Sequence, residues 1–172
     1  MKDLGSTGLK RFYAGATPSR LRLAAWLVAA LAAGTLSTLV QVLLWLFFSD
    51  QWPAILFRDA RLAAAVVMGS SVLPPPASFS IAVMAIAAAV HFALSFVYAG
   101  LVAFLVERQA PSRVLVVGAA FGLVIYLVNM HGFTRIYPWF AQARDWITVV
   151  SHLAFGIIAA VAYRWRIGWR LA

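Results

Sequence analysis

Four stretches of the chain carry no Asp, Glu, Lys or Arg: Leu23 to Phe48, Phe79 to Val106, Val114 to Met130 and Trp146 to Tyr163. A helix needs about 20 mostly apolar residues to cross a hydrocarbon core of about 30 Å, so each run has the length of a span, the longer two with tilt or overhang. The few polar residues inside the runs recur at helical spacing. His91, Ser95 and Tyr98 stand at i, i+4 and i+7, and Thr148 and His152 share a face with Tyr163. Gly34, Thr38, Gln41 and Trp45 do the same in the first run, and Gly118, Gly122, Tyr126 and Asn129 in the third. Positions three, four or seven apart lie on one helix face, so every run has a single polar or small-residue stripe. The pattern predicts an all-α integral membrane four-helix bundle with the stripes turned inward. Gly34, Gly118, Gly122 and Gly156 are the expected points of close helix approach.

The connections add detail. Ser49 to Ser78 is long for a structureless loop. Ser49 and Asp50 as caps, Pro53 in a first turn, and Gly69 with Pro74-Pro75-Pro76 as a stop predict a helix over 53–68. Arg58, Asp59 and Arg61 interrupt its apolar surface, so it is expected at the periplasmic interface, lying flat or capping the bundle. The tight turn from Glu107 to Arg113 makes the second and third spans antiparallel neighbours. Glu107 there is expected to pair with Arg108 or Arg113. The 131–145 loop is aromatic and lies outside. No internal repeat is visible, which argues against an inverted-repeat transporter.

Composition agrees with lipid as solvent. The chain is 64% hydrophobic and 11% charged, against about 45–50% and about 25% for soluble domains. With no cysteine, a disulfide framework, an iron–sulfur cluster, a thiolate zinc site and attached c-type haem are excluded. Some twenty polar residues precede the first run, which is too long for a signal peptide and is expected to be retained. Ten of the fourteen basic residues fall on one side of the spans if both termini are cytoplasmic; Arg58, Arg61, Arg135 and Arg144 fall on the other. The positive-inside rule therefore predicts an N-in, C-in protein of a bacterial inner membrane, one transmembrane domain over 1–172. Trp26, Trp165 and Trp169 belong to the cytoplasmic aromatic belt, and Trp45, Trp52, Trp139 and Trp146 to the outer one. The net charge of +9 is scattered over helix ends, which suits anionic headgroups rather than nucleic acid. Expected partners are the bilayer and a larger membrane complex or a homo-oligomer.

The chemistry is confined to neutral polar groups and histidines. Gln41, His91, Ser95, Tyr98, Asn129 and His152 form a candidate polar pocket open to the periplasm. It is either interhelical glue or a site for a proton, metal or small ligand, since an intramembrane ionisable residue is a site hypothesis by default. His91 and His152 could also ligate haem b, although counting residues from the outer ends puts them about 8 Å apart in depth. His131 is more simply an interfacial residue than a third metal ligand. No Asp or Glu lies within a span to relay protons, and there is no nucleophile–base–acid set, no HExxH and no phosphate loop, so no enzyme is expected.

From His91 onward the order of residues resembles that of the small YagU-like inner-membrane proteins of bacteria. The resemblance rests on His91-Phe92-Ala93-Leu94-Ser95-Phe96-Val97-Tyr98-Ala99, Glu107 before the short turn, Gly118 and Gly122, Pro138-Trp139-Phe140, and Ser151-His152-Leu153-Ala154-Phe155-Gly156. It implies a multi-pass inner-membrane protein of unassigned biochemistry, associated with envelope or acid-stress tolerance, and no cofactor. The leading expectation is thus a non-enzymatic accessory or stress component. A carrier or channel-like protein with a polar pocket is one alternative, and a haem b subunit is another.

Overall fold

The computed structural model describes residues 19–168. Five α-helices follow in order: α1 (Ser19–Phe48), α2 (Ala54–Met68), α3 (Ile81–Val106), α4 (Pro111–Leu127) and α5 (Trp146–Ile167). A π-helical turn, Val128–Gly132, and two 3₁₀ turns, Phe133–Arg135 and Pro138–Ala143, join α4 to α5. α1, α3, α5 and α4 with its continuation to Arg135 are each long and apolar enough to cross a membrane. The chain is therefore an all-α, multi-pass membrane protein. Lys2, Lys10 and Arg11, with Phe12, Tyr13, Trp169 and Arg170, lie outside the described residues.

Local chemistry sets the helix ends. Pro111 opens α4, where its missing N–H costs nothing. Asp145 caps α5, its Oδ1 accepting from Thr148 N at 2.8 Å. Gly69 (φ 81°) and Gly168 (φ 87°) close α2 and α5 in a conformation that favours glycine. α1 starts before Leu23 and α5 runs past Tyr163, so charged residues continue the helices beyond their uncharged parts.

α5 is the central helix, packed along α1 and α4 and also touching α3. Small residues make this possible. A Cβ on Gly118 would lie 2.8 Å from the carbonyl oxygen of Gly156, and one on Gly156 would collide with the α4 backbone at Gly118 and Gly122. α1 meets α3 at Gly34, where a Cβ would stand 2.9 Å from Ser95 Oγ. Near the other end of that contact Trp26 Nε1 donates to Phe96 O at 2.7 Å. All four glycines thus sit at close approaches. The second and third spans follow one another through the short turn, but their mutual contact is slight beside the ones each makes with α1 or α5. Large apolar residues such as Phe104 and Val116 face outward, as contact with a bilayer requires.

Two sequence expectations are corrected. Arg164, counted from the sequence among the ten basic residues at the cytoplasmic helix ends that suit anionic headgroups, is fully buried, and its Nη1 donates to Glu107 O at 2.6 Å. Glu107 pairs not with Arg108 or Arg113 but with Arg22, at 2.9 Å. α5 simply runs far enough to bring Arg164 against the turn after α3, and α1 starts early enough to bring Arg22 there.

α2 caps one end of the bundle. It packs on α3 and buries Leu62, Ala64 and Ala65. Arg61 fastens the connection that follows by donating to Val72 O at 2.8 Å and Ser78 O at 3.1 Å. The aromatic loop before α5 folds onto this cap: Trp139 Nε1 donates to Leu62 O at 3.0 Å, and Trp139 and Phe140 pack with Leu62, Tyr126, Met130 and Ala143.

Candidate functional site

Gln41, His91, Ser95, Tyr98, Asn129 and His152 all line one pocket of about 120 Å³, together with Thr38, Ser37 and Ser151. α1 supplies Gln41, α3 supplies His91, Ser95 and Tyr98, the π-helical turn supplies Asn129 and α5 supplies His152. The depth difference obtained by counting residues does not keep the two histidines apart, because both reach the same space.

The hydrogen bonds fix several atoms. His152 Nδ1 is 2.8 Å from Thr148 O, a carbonyl that can only accept, so Nδ1 carries the proton and Nε2 is left as an acceptor. Asn129 Nδ2 donates to that Nε2 at 3.3 Å, and Asn129 Oδ1 accepts from Tyr98 OH at 2.6 Å. One orientation of the asparagine satisfies both neighbours. The chain Tyr98–Asn129–His152 thereby joins α3, the end of α4 and α5. His91 Nε2 lies 3.1 Å from Gly34 O and 3.2 Å from Thr38 Oγ1, while the Thr38 hydroxyl donates back to Gly34 O at 2.8 Å. Ser95 turns its hydroxyl onto its own helix, donating to His91 O at 2.8 Å. It shapes the α1–α3 contact more than it offers a free donor.

These bonds bear on haem. His91 commits Nε2 to α1 and His152 commits Nε2 to Asn129, so the imidazoles present no matched pair of free Nε2 atoms. The residues present do not fit a bis-histidine haem b. Among the described residues no three His, Asp or Glu side chains converge as a metal set.

A larger cavity of about 580 Å³ adjoins the pocket and shares Gln41, His91, Leu94, Asn129 and His152 with it. Its other walls come from α2 and the aromatic loop, with Asp59, Leu62, Phe133, Tyr137 and Phe140, and from Trp45 and Thr148. Sequence reasoning missed Asp59 and Thr148 here. Trp45 had a visible signal, standing four residues beyond Gln41 on the α1 stripe. Asp59 had none, because only the docking of α2 brings its carboxylate to the cavity.

Asp59 accepts from Arg58 Nε at 2.8 Å. Burial pushes its carboxyl up from 3.8 to about 6, against the opposing pull of Arg58 and with a smaller push from Asp145. Between those two values the folded protein holds the proton more tightly than the unfolded chain does. Stability contributed by this group is therefore lost as pH rises through the window and recovered as pH falls. The Tm of the purified protein is expected to decline from about pH 4 to about pH 7, and Asp59→Asn is expected to flatten that slope. An unchanged slope in the variant would refute the assignment to Asp59.

The fold and its site define a multi-pass helical membrane protein with a polar pocket adjoining an aromatic, largely apolar cavity. In comparisons with known protein families, curated proteins and solved structures, nothing matches the chain.

Proposed function

We propose that the chain is a non-enzymatic inner-membrane protein, with both termini cytoplasmic, that holds a small ligand in the polar pocket of its bundle as a binding or carrier component. One observation carries this reading: six polar residues drawn from every wall of the bundle line a space that side chains do not fill. Interhelical glue alone needs hydrogen bonds, which are present, but it needs no cavity. The distribution of Lys and Arg supports the orientation. The resemblance to YagU-like proteins supports an inner-membrane setting and an envelope role. An accessory role through the outer aromatic loop draws less support, because Trp139 and Phe140 are turned onto α2.

The test is a thermal-shift screen of neutral and charged small molecules against the purified protein, His91→Ala and His152→Ala. A compound that raises the native Tm is expected to lose that effect in both variants while each stays folded. If the substitutions only lower the Tm and no compound shifts any of the three proteins, the pocket is structural and the proposal fails.

A further inference from the structure

The polar side chains of the smaller pocket divide into those already engaged and those left open. The hydroxyls of Thr38, Ser95 and Ser151 donate to carbonyls of their own helices, and Tyr98 OH donates to Asn129. Ser37 and Gln41 differ. Both line the pocket, yet among the described residues neither the Ser37 hydroxyl nor the Gln41 carboxamide has a hydrogen-bond partner, and none of these polar atoms is sealed from water. They stand four apart on α1 and so share a face. Ser37 is only 5% exposed, and the pocket is the space its hydroxyl reaches.

His91 brings a third open atom from α3. Its Nε2 lies 3.1 Å from Gly34 O, which can only accept, so Nε2 carries the proton and Nδ1 of the neutral ring is an acceptor. That Nδ1 also has no partner among the described residues and is not sealed from water.

Size and charge narrow what these groups can hold. A space of about 120 Å³ exceeds what one water needs and falls well short of the roughly 300–1,000 Å³ of sites for drug-sized ligands. No Asp, Glu, Lys or Arg lines it, so an ion would lose its water without gaining a countercharge. The Gln41 carboxamide presents a carbonyl acceptor and an N–H donor side by side. A second carboxamide is its complement, since it can give an N–H and take one in return. The Ser37 hydroxyl can donate to the ligand's oxygen, and His91 Nδ1 can accept a further N–H. Leu94, Ile125 and Phe155 complete the wall with apolar surface that suits a methyl group.

Resting on the ligand-binding reading above, we infer that the pocket takes a small uncharged carboxamide or urea, held by the Gln41 carboxamide, the Ser37 hydroxyl and His91 Nδ1. Binding alone is inferred, with no reaction.

The experiment titrates acetamide into the full-length protein in mild detergent, its histidines nitrogen-labelled, while the His91 Nδ1 signal is followed by NMR. Gln41→Met and Ser37→Ala are measured alongside. Neither native side chain has a partner in the bundle, so both variants are expected to keep the native Tm. N,N-dimethylacetamide, which lacks the N–H donors, and glycerol, acetate and guanidinium serve as comparison probes. The expected result is a saturable shift with acetamide whose apparent affinity falls about fivefold in Ser37→Ala and about tenfold or more in Gln41→Met, the worth of one and of two neutral hydrogen bonds. Ser37→Ala decides alone if Gln41→Met fails to fold. Equal acetamide affinity in all three proteins, or N,N-dimethylacetamide binding as tightly as acetamide, overturns the inference. Saturable binding of glycerol, acetate or guanidinium without acetamide overturns the ligand class and leaves the ligand-binding reading standing. A His91 signal that no probe moves overturns the inference, and the ligand-binding reading falls with it only if the thermal-shift screen is empty as well.

Discussion

Replacing Gly156 by leucine is expected to lower the Tm by about 10 °C or more and to abolish folding in part of the population. The cause is geometric. A Cβ at position 156 collides with the Gly118 carbonyl and lies 2.7 Å from Gly122 N and 2.9 Å from Gly122 Cα. All three are backbone atoms, so no rotamer change relieves the contact, and α4 and α5 must move apart. Overpacking a tight core costs about 1–3 kcal/mol even when side chains can yield, and backbone contacts lie at or above the top of that range. For a chain of this size each 1 kcal/mol shifts the Tm by roughly 2–4 °C. Gly156→Ala is expected to give a smaller fall of the same sign. Gly132→Ala is the control: its Cβ would meet only Leu127 O, at 3.9 Å, and its backbone lies in the right-handed helical region, so little change is expected. Similar Tm values for Gly156→Leu and Gly132→Ala would show that close approach of α4 and α5 does not hold the bundle together.

The sequence makes the spans and the packing glycines legible for one physical reason. Lipid supplies no apolar contrast between the inside and outside of a bundle, so helices meet through small and polar residues, and these stand out against Leu, Val and Phe. Gly118, Gly122 and Gly156 are visible in this way, as is the His91–Ser95–Tyr98 stripe. Periodicity reports which face a residue occupies and leaves open which helix it meets. The slight contact between α3 and α4, and the central place of α5, depend on tertiary packing that no stripe encodes. Arg164 shows the limit at a helix end. An arginine just beyond an apolar run has the sequence pattern of an interfacial anchor, and only the approach of the α3–α4 turn buries it.

The candidate pocket is legible to the same degree. Its six residues are polar positions within the spans, and each had to face either the interior or water. The wall that α2 and the aromatic loop add to the site comes from outside the uncharged runs, while Trp45 and Thr148 lie within them. α2 reads as an amphipathic segment with three charges, and its sequence alone is compatible with lying flat on the bilayer. Its docking on α3, with the aromatic loop tied to it by the Trp139–Leu62 bond, turns Asp59 into a cavity-lining group.

Asn129 carries the second large effect. It is the middle member of the Tyr98–Asn129–His152 chain, donating to His152 Nε2 and accepting from Tyr98 OH, and so it links three walls of the pocket through one side chain. Asn129→Leu keeps the branch at Cγ on a larger side chain and removes both bonds at once. It leaves a phenol hydroxyl and an imidazole nitrogen without their partners, at a cost of about 1–3 kcal/mol each. The expected result is a fall in Tm of roughly 5–10 °C, together with loss of any ligand-induced thermal shift. A site-specific readout separates this from general loosening. In nitrogen NMR of histidine-labelled protein, His152 is expected as the neutral Nδ1–H form, held by Thr148 O, and Asn129→Leu should shift the Nε2 signal, which loses its donor, while leaving the tautomer and His131 unchanged. Tyr98→Phe removes only one of the two bonds and is expected to lower the Tm by about half as much without altering the His152 signal. A variant at 129 that keeps both the native Tm and the native His152 signal would show that the chain of bonds does not organise the pocket.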